Sequence, residues 1–249
     1  MHRLILPAAF VLLLSACSTY QYMTVDSTQL KKNDHSQLTF ENDTLRLTWR
    51  LEGKGGAVTL NINNKTDQPL YVNWKKSAFI RNGQATSLFN NNVMIQGNST
   101  AVAYRTGRAA VAAGRTTVAQ GSFTASLSLP EGVDFIPPAS SLSRQLPDLE
   151  RTGQLETYLS DSLKEKKMIA TDGMSYSRYR QASFDETQSP VRFSSYITFS
   201  FGNNNAQEFA ETSSFYIGEI WQTSSAPESF TLYRQQGDQF YITTSSNTR

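Results

Sequence analysis

The stretch Leu45-Arg46-Leu47-Thr48-Trp49-Arg50-Leu51 alternates apolar and polar residues at every position. A period of two places one side of a β-strand against a core and the other side in water. The alternation returns in the next residues, at Val58, Leu60 and Ile62 and then at Leu70, Val72 and Trp74. The sequence therefore predicts three successive strands.

Turn residues and further alternation extend this pattern along the chain. Arg81-Asn82-Gly83-Gln84 predicts a hairpin, because both central residues of a type I′ turn need positive φ. Further strands are predicted at Phe123, Ala125, Leu127 and Leu129, at 191–201, and at Phe215, Ile217 and Trp221. A last pair is predicted at 230–233 and 240–243, joined near Gly237-Asp238.

One segment resembles a known type of module. Residues 58–72, with an Asn-rich turn followed by a Pro, resemble the second and third strands of immunoglobulin-like modules in bacterial envelope proteins. There, such a turn and Pro precede the strand that crosses to the other sheet. The resemblance implies a mainly β fold, an antiparallel β-sandwich, and nothing about activity.

Residues from about 130 to 189 interrupt the strand pattern. Leu155, Leu159 and Leu163 are spaced by four, which predicts a helix from near Thr152 to around Lys167. The run Lys164-Glu165-Lys166-Lys167 is then interpreted as a solvated helix end. We expect this helix-containing insertion to cover an edge or an end of the sheets.

The first residues have the layout of an export signal. A basic start containing Arg3 precedes the apolar run from Leu4 to Leu14, which is shorter than the roughly 20 residues of a membrane-spanning helix. The small residues Ser15-Ala16 and then Cys17 follow. Residues 1–16 are therefore predicted to be a cleaved signal peptide.

Leu14-Ser15-Ala16-Cys17 resembles the lipobox of bacterial lipoproteins. In that family the cysteine sulfur receives a diacylglyceryl group, cleavage occurs just before it, and the new amino terminus is usually acylated. Cys17 is the only cysteine of the chain, as expected of a lipid acceptor. Ser18 stands where Asp would favour the inner membrane, so the resemblance implies a cell-envelope lipoprotein, on the outer membrane if the organism has one.

The organisation that follows has three segments. After the signal peptide, residues 17–36 are mostly polar and are predicted to be a tether that carries the lipidated cysteine. Residues 37–249 are predicted to hold the β-sandwich with its helical insertion at about 130–189. Their length suits one large β domain or two small ones.

Charge and residue usage exclude several functions. Removing residues 1–16 takes only Arg3 from the 23 basic residues, so the mature chain is nearly neutral against its 21 acidic residues, which argues against a nucleic-acid partner. The mature chain keeps one histidine, His35, in the predicted tether. Triads and most zinc sites need a histidine in a folded frame, so we expect no metal and no cofactor.

Two kinds of candidate site remain. Asp134, Asp172 and Glu219 are conceivable members of a carboxylate pair, as in a hydrolase acting on envelope polysaccharide. Tyr176, Arg178, Tyr179 and Arg180 interleave aromatic rings and guanidinium groups, which can bind a glycan or an envelope protein, although a strand with packed Tyr and solvated Arg is the favoured interpretation. The sequence favours a lipid-anchored, non-enzymatic binding or assembly module. The hydrolase and a purely structural lipoprotein are the alternatives.

Overall fold

The computed structural model describes residues 18–89, 92–103, 117–128, 132–151, 163–169, 176–201 and 207–245. These residues form strands and contain no helix, which confirms a mainly β fold. The strands are β1 (Ser18–Asp26), β2 (Lys31–Lys32), β3 (Leu38–Glu41), β4 (Leu45–Lys54), β5 (Ala57–Asn64), β6 (Leu70–Arg81), β7 (Gln84–Ser87), β8 (Asn92–Ala103), β9 (Thr117–Ser128), β10 (Val133–Ile136), β11 (Ser141–Leu146), β12 (Lys164–Ile169), β13 (Tyr176–Ser183), β14 (Arg192–Phe201), β15 (Gln207–Thr223) and β16 (Gln239–Ser245).

Fourteen of the described strands form one mixed sheet, and β8 with β9 forms a separate hairpin. The order along the sheet is β10-β6-β14-β15-β1-β16-β4-β3-β2. In addition, β4 pairs with β5, which pairs with β11; β15 pairs with β13, which pairs with β12; and β6 pairs with β7. The parallel contact of β16 with β4 covers only two residue pairs. It joins a small antiparallel part (β2 to β5 and β11) to a large antiparallel part that contains the other strands of the sheet.

The two parts of the sheet meet through an aromatic core. Trp49 of β4 lies 5.4 Å from Phe215 of β15 and 6.3 Å from Phe79 of β6, measured between ring centroids. Burial alternates strictly over the first seven residues of β4 and along all of β5. The three strands predicted from alternation are therefore confirmed, with their apolar sides in this core.

The predicted hairpin at Asn82-Gly83 is also confirmed. Asn82 and Gly83 have φ angles of 51° and 76°, and Arg81 pairs with Gln84 across the turn. Both central residues thus adopt the positive φ that a type I′ turn requires. The strand predicted around Phe123 is β9, and Leu129 lies outside the described residues.

The predicted polar tether is wrong for residues 18–26. These residues form β1, which lies between β15 and β16 in the interior of the large part. Tyr22, Met23 and Val25 are fully buried, because β1 has a hydrophobic cluster on each face. A strand buried on both faces does not show a period of two, so its sequence resembled an irregular segment.

The predicted helix is wrong where it can be compared with the structure. Residues 164–167 lie in β12, which pairs with β13 instead of ending a helix. Residues 152–162 lie outside the described residues. Between 130 and 189 the described residues form β10 to β13, of which β10 pairs with β6 and β11 with β5. The segment thus adds strands to the sheet, since pairing with a neighbouring strand overrides the local helix propensity of Lys and Glu.

The strand predicted at 230–233 is a turn. The amide of Phe230 donates to the carbonyl of Ala226, and that of Tyr233 to the carbonyl of Phe230. The ring of Phe230 lies 4.7 Å from that of Tyr22, and Tyr22 Oη donates to the Ser225 carbonyl at 2.8 Å. The turn therefore covers one face of β1 and forms a second hydrophobic cluster with it. Burial of the Tyr22 hydroxyl group in this cluster raises its pKa.

Candidate functional site

The structure divides the predicted binding residues between two faces of β13. Tyr176, Arg178 and Arg180 are exposed, whereas Tyr179 is partly buried, with its ring 5.9 Å from that of Phe230. Successive residues of a strand point to opposite faces. The four side chains therefore do not form one surface, and Tyr179 contributes to packing.

The two arginines have identified partners on the neighbouring strand and loop. Arg178 lies 3.8 Å from Glu165, and Arg180 Nε donates to the carbonyl of Leu163 at 3.4 Å. With Thr19 of β1 they line a cleft of about 350 Å³. The predicted segment is thus placed beside the start of β1.

The three candidate acids are not shown to form a catalytic pair. Asp134 accepts a hydrogen bond from Trp74 Nε1 at 2.8 Å and forms an ion pair with Arg144, whose guanidinium lies 4.7 Å from the Trp74 ring. Asp134 of β10 thus links Trp74 of β6 to Arg144 of β11. Asp172 lies outside the described residues.

Glu219 is the one of these acids whose environment is unusual. Burial raises the pKa of its carboxyl group, and the nearby Lys166 partly opposes that rise. Gln181 Nε2 donates to its Oε1. Glycoside hydrolysis needs a second carboxylate across the substrate. Among the described residues, the contacts found for Glu219 include Lys166 and Gln181 and no carboxylate.

Another concave surface lies on the outer face of the small part of the sheet. This surface, called the polar groove below, has a volume of about 610 Å³. All of its lining residues are polar: Lys31, Lys32, Asn33, Gln37, Thr39, Glu41, Arg46, Thr48, Arg50, Thr59, Asn61 and Ser143. Four of them carry a positive charge and one a negative charge, so the groove favours an anionic or a hydroxylated ligand.

Strand register explains the floor of the polar groove. One row of directly paired residues crosses five strands, in the order Lys31, Thr39, Thr48, Asn61 and Ser143. Paired residues lie on the same face of a sheet. The floor is therefore a line of polar side chains opposite the face that packs into the core, and it offers one ammonium, one amide and the hydroxyl groups of Thr48 and Ser143, since the hydroxyl oxygen of Thr39 is buried.

Ion pairs hold the cations around this floor. Arg46 donates to Glu41 through Nε and Nη2, both at 2.9 Å, and Lys65 Nζ lies 2.9 Å from the same carboxylate. On the other side, Arg50 Nε lies 3.3 Å from Glu52. Two-point pairing of a guanidinium with a carboxylate restricts its orientation. The guanidinium group of Arg46 is therefore held in a defined orientation beside the floor, and that of Arg50 lies next to Glu52.

Lys32 is fixed at one end of the polar groove by a buried acid. Its Nζ lies 2.8 Å from Oδ2 of Asp238, whose side chain is 6 % exposed. The amide of Val25 in β1 donates to the Asp238 carbonyl at 2.8 Å. This contact joins the end of the groove to the large part of the sheet.

Acid titration of Glu41 provides one prediction for the groove. Hydrogen bonds from Arg46 and then Lys65 lower its pKa from 4.5 to about 2. A lowered pKa in the folded state stabilises the fold above the unfolded-state pKa, and the stabilisation is lost as pH falls through the folded-state value. The stability difference between the unaltered protein and Glu41→Gln should therefore shrink between pH 4.5 and about 2.

Urea denaturation at several pH values measures this difference. Arg46→Gln is the matched variant, because it removes the first partner of Glu41 and should weaken the same pH dependence. A difference that stays constant across the window would show that the ion pair does not hold Glu41 in its charged form.

Sequence reasoning missed the polar groove. Arg46, Thr48 and Arg50 form the polar side of the β4 pattern, which by itself predicts only a solvated face. The concavity depends on strands that are distant in the chain, such as β11, whose Ser143 pairs with Asn61 of β5. No local signal indicates that pairing.

The described residues thus define a mainly β protein with a polar, cation-flanked groove. Comparison of the chain with protein-family models, curated proteins and solved structures gave no match. Among the described residues, no helix has the length and apolar character to cross a membrane, and no group of three or more His, Cys, Asp or Glu side chains could hold a metal ion.

Proposed function

We propose that the protein is a lipid-anchored, non-enzymatic lipoprotein of the cell envelope that binds an anionic glycan in the polar groove. The observation that carries this proposal is the groove itself, in which every lining side chain is polar and four are cationic. Hydroxyl, amide and guanidinium groups match the hydroxyl and carboxylate or phosphate groups of such a polymer.

A glycan fits this groove better than an envelope protein does. Protein interfaces depend on a few buried aromatic or apolar anchors at their centre. The floor of the groove presents Thr48, Asn61 and Ser143 where such an anchor would have to dock. Hydrogen bonds and charge would therefore supply most of the affinity.

The lipobox supports the anchor in this proposal. Leu14-Ser15-Ala16-Cys17 is followed at once by Ser18, the first residue of β1. Lipid on Cys17 would hold the domain on a membrane, and Ser18 after the cysteine favours the outer membrane. The anchor would keep the polar groove close to the polymers of the envelope.

We also propose that the two parts of the sheet are a sandwich of the immunoglobulin-like type. The observed sheet is mixed, because β16 pairs in parallel with β4 over two residues. The proposal is supported by the crossing of the chain from β5 in the small part to β6 in the large part. The contacts of Trp49 with Phe79 and Phe215 between the two parts support it as well.

Calorimetric titration with a short oligomer of galacturonate tests the groove. Removing a charged hydrogen-bond donor costs about 1.5–3 kcal/mol, so Arg50→Ser should weaken binding by about tenfold or more. Lys31→Ser should also weaken binding. Higher salt should weaken binding of the oligomer to the unaltered protein. A neutral maltose oligomer of the same length should bind less tightly.

Arg192→Ser is the matched control, because Arg192 is an exposed cation on β14, outside the polar groove. It should leave the titration unchanged. Equal weakening by Arg192→Ser and Arg50→Ser would show general charge attraction and would contradict a groove site. The same holds if galacturonate does not bind at all.

A further inference from the structure

The start of β1 and the start of β13 lie at the same end of the sheet. Gln21 pairs with Gln222 of β15, and Gln222 pairs on its other side with Arg180. Since β1 and β13 are both antiparallel to β15, they run in the same direction. Gln21 and Arg180 therefore lie at the same level of the sheet. Ser18 is three residues before Gln21, and Ser177 is three residues before Arg180, so Ser18 and Ser177 are also level with each other.

Tyr176 lies one residue beyond this level. Tyr176 pairs with Ile169 at the end of β12, and these side chains are 70 % and 59 % exposed. The next pair on the same face is Arg178 with Lys167. The side chain of Arg178 is 74 % exposed. We call Lys167, Ile169, Tyr176 and Arg178 the end surface.

The end surface therefore carries two exposed apolar side chains at the described ends of β12 and β13, where residues 170–175 lie outside the described residues, and two cations one row behind them. Tyrosine is enriched at membrane interfaces, where its ring meets the acyl region and its hydroxyl group meets the headgroups. Lys and Arg near an anionic leaflet are attracted by its surface potential. The order of the side chains along the strands matches the order of these layers.

We propose that the end surface docks on the phospholipid headgroups of the membrane that holds the lipid of Cys17. Tyr176 and Ile169 enter the interface, and Lys167 and Arg178 contact lipid phosphates. The proposal rests on the lipid anchor proposed above, because Cys17 is covalently bonded to Ser18 at this end of β1. It extends that anchor by fixing which end of the domain faces the membrane.

The position of the anchor favours a membrane over another macromolecule at this surface. Thr19 of β1 and Arg178 line the same cleft, so the end surface is close to the first residues of the mature chain. An attached lipid would present the headgroup layer to this surface at high effective concentration. A partner protein would have to displace that layer.

Vesicle sedimentation of the mature chain carrying Cys17→Ser tests the docking without the lipid. We expect binding to vesicles of phosphatidylcholine with phosphatidylglycerol, and weaker binding to phosphatidylcholine alone. Each cation near an anionic leaflet contributes about 1 kcal/mol, or about fivefold. Lys167→Glu combined with Arg178→Glu should therefore weaken binding by at least about twentyfold. Tyr176→Ser combined with Ile169→Ser should weaken binding to both kinds of vesicle.

Matched controls lie at the other end of β1. Arg192 pairs with Tyr216, which pairs with Asp26 at the end of that strand. Arg192→Glu and Tyr196→Ser change an exposed cation and an exposed ring there, and should leave vesicle binding unchanged.

The proposal is overturned if the Cys17→Ser chain ignores both kinds of vesicle, or if the controls weaken binding as much as the end-surface variants. It is also overturned if the end surface binds an envelope protein and not vesicles. These outcomes are independent of fatty-acid labelling at Cys17, which tests the anchor alone. If the protein is labelled but the Cys17→Ser chain does not bind vesicles, the docking proposal is wrong and the anchor stands. If the Cys17→Ser chain binds vesicles but the protein is not labelled, the proposed anchor is wrong.

Discussion

Replacement of Cys17 by serine is expected to abolish fatty-acid labelling of the protein and to remove its mature form from the membrane fraction. The reason is chemical, because a serine hydroxyl does not replace the thiol that receives the diacylglyceryl group in proteins with this lipobox. Two or more acyl chains make a lasting anchor, whereas a single chain binds only reversibly. Metabolic labelling with a radioactive fatty acid, followed by cell fractionation, measures both effects.

Ser15→Ala is the matched control for this experiment. It changes a neighbouring residue of the lipobox but keeps a small residue there and keeps Cys17, so labelling should persist. Label that persists in Cys17→Ser would show that lipid is attached elsewhere, and the proposed anchor would be wrong.

Trp49→Ala is expected to lower the free energy of unfolding by about 3–5 kcal/mol, the range for removal of a large buried aromatic side chain. Trp49 is fully buried and contacts Phe79 and Phe215 of the large part. Its removal would leave a cavity where the two parts of the sheet meet. Urea denaturation followed by far-ultraviolet circular dichroism measures the loss without relying on tryptophan fluorescence.

Trp49→Phe separates the ring contacts from the indole N–H. Among the residues that the structure describes, Trp49 Nε1 is buried and has no hydrogen-bond partner. A buried polar group without a partner costs about 1–3 kcal/mol, so removing it should offset part of the lost ring volume. Trp49→Phe should therefore destabilise the protein much less than Trp49→Ala does.

Tyr176→Ala provides the surface control, since Tyr176 is 70 % exposed. Substitutions at exposed positions usually change stability by no more than about 0.5 kcal/mol. A loss below about 1 kcal/mol for Trp49→Ala would contradict the inference that this ring joins the two parts of the sheet, because buried Trp→Ala changes cost several times more.

The strands that could be predicted are those with one face in a core and one in water. β4 and β5 show this pattern, and the turn at Asn82-Gly83 has a local chemical cause. β1 could not be recognised in this way, because both of its faces are buried. β12 could not be recognised either, because its Lys-rich residues are exposed and only the ladder to β13 makes them a strand.

The candidate site was less accessible to sequence reasoning than the fold. Residue type alone indicates Tyr176 and Arg178 as candidate binding residues, but their relation to the start of β1 depends on the intervening strand β15. The raised pKa of Glu219 likewise results from burial that local sequence does not show. Residue type identified candidates, and pairing between distant strands decided which of them lie together.

The sequence by itself determined the lipobox around Cys17, the alternating strands and the hairpin turn, because each depends on neighbouring residues. Only the tertiary structure decided that β1 begins at Ser18 inside the sheet, immediately after the proposed lipid acceptor. It also decided that Ser143 completes the floor of the polar groove beside Asn61. Both results depend on the register between strands far apart in the chain, which the packing of the whole sheet sets.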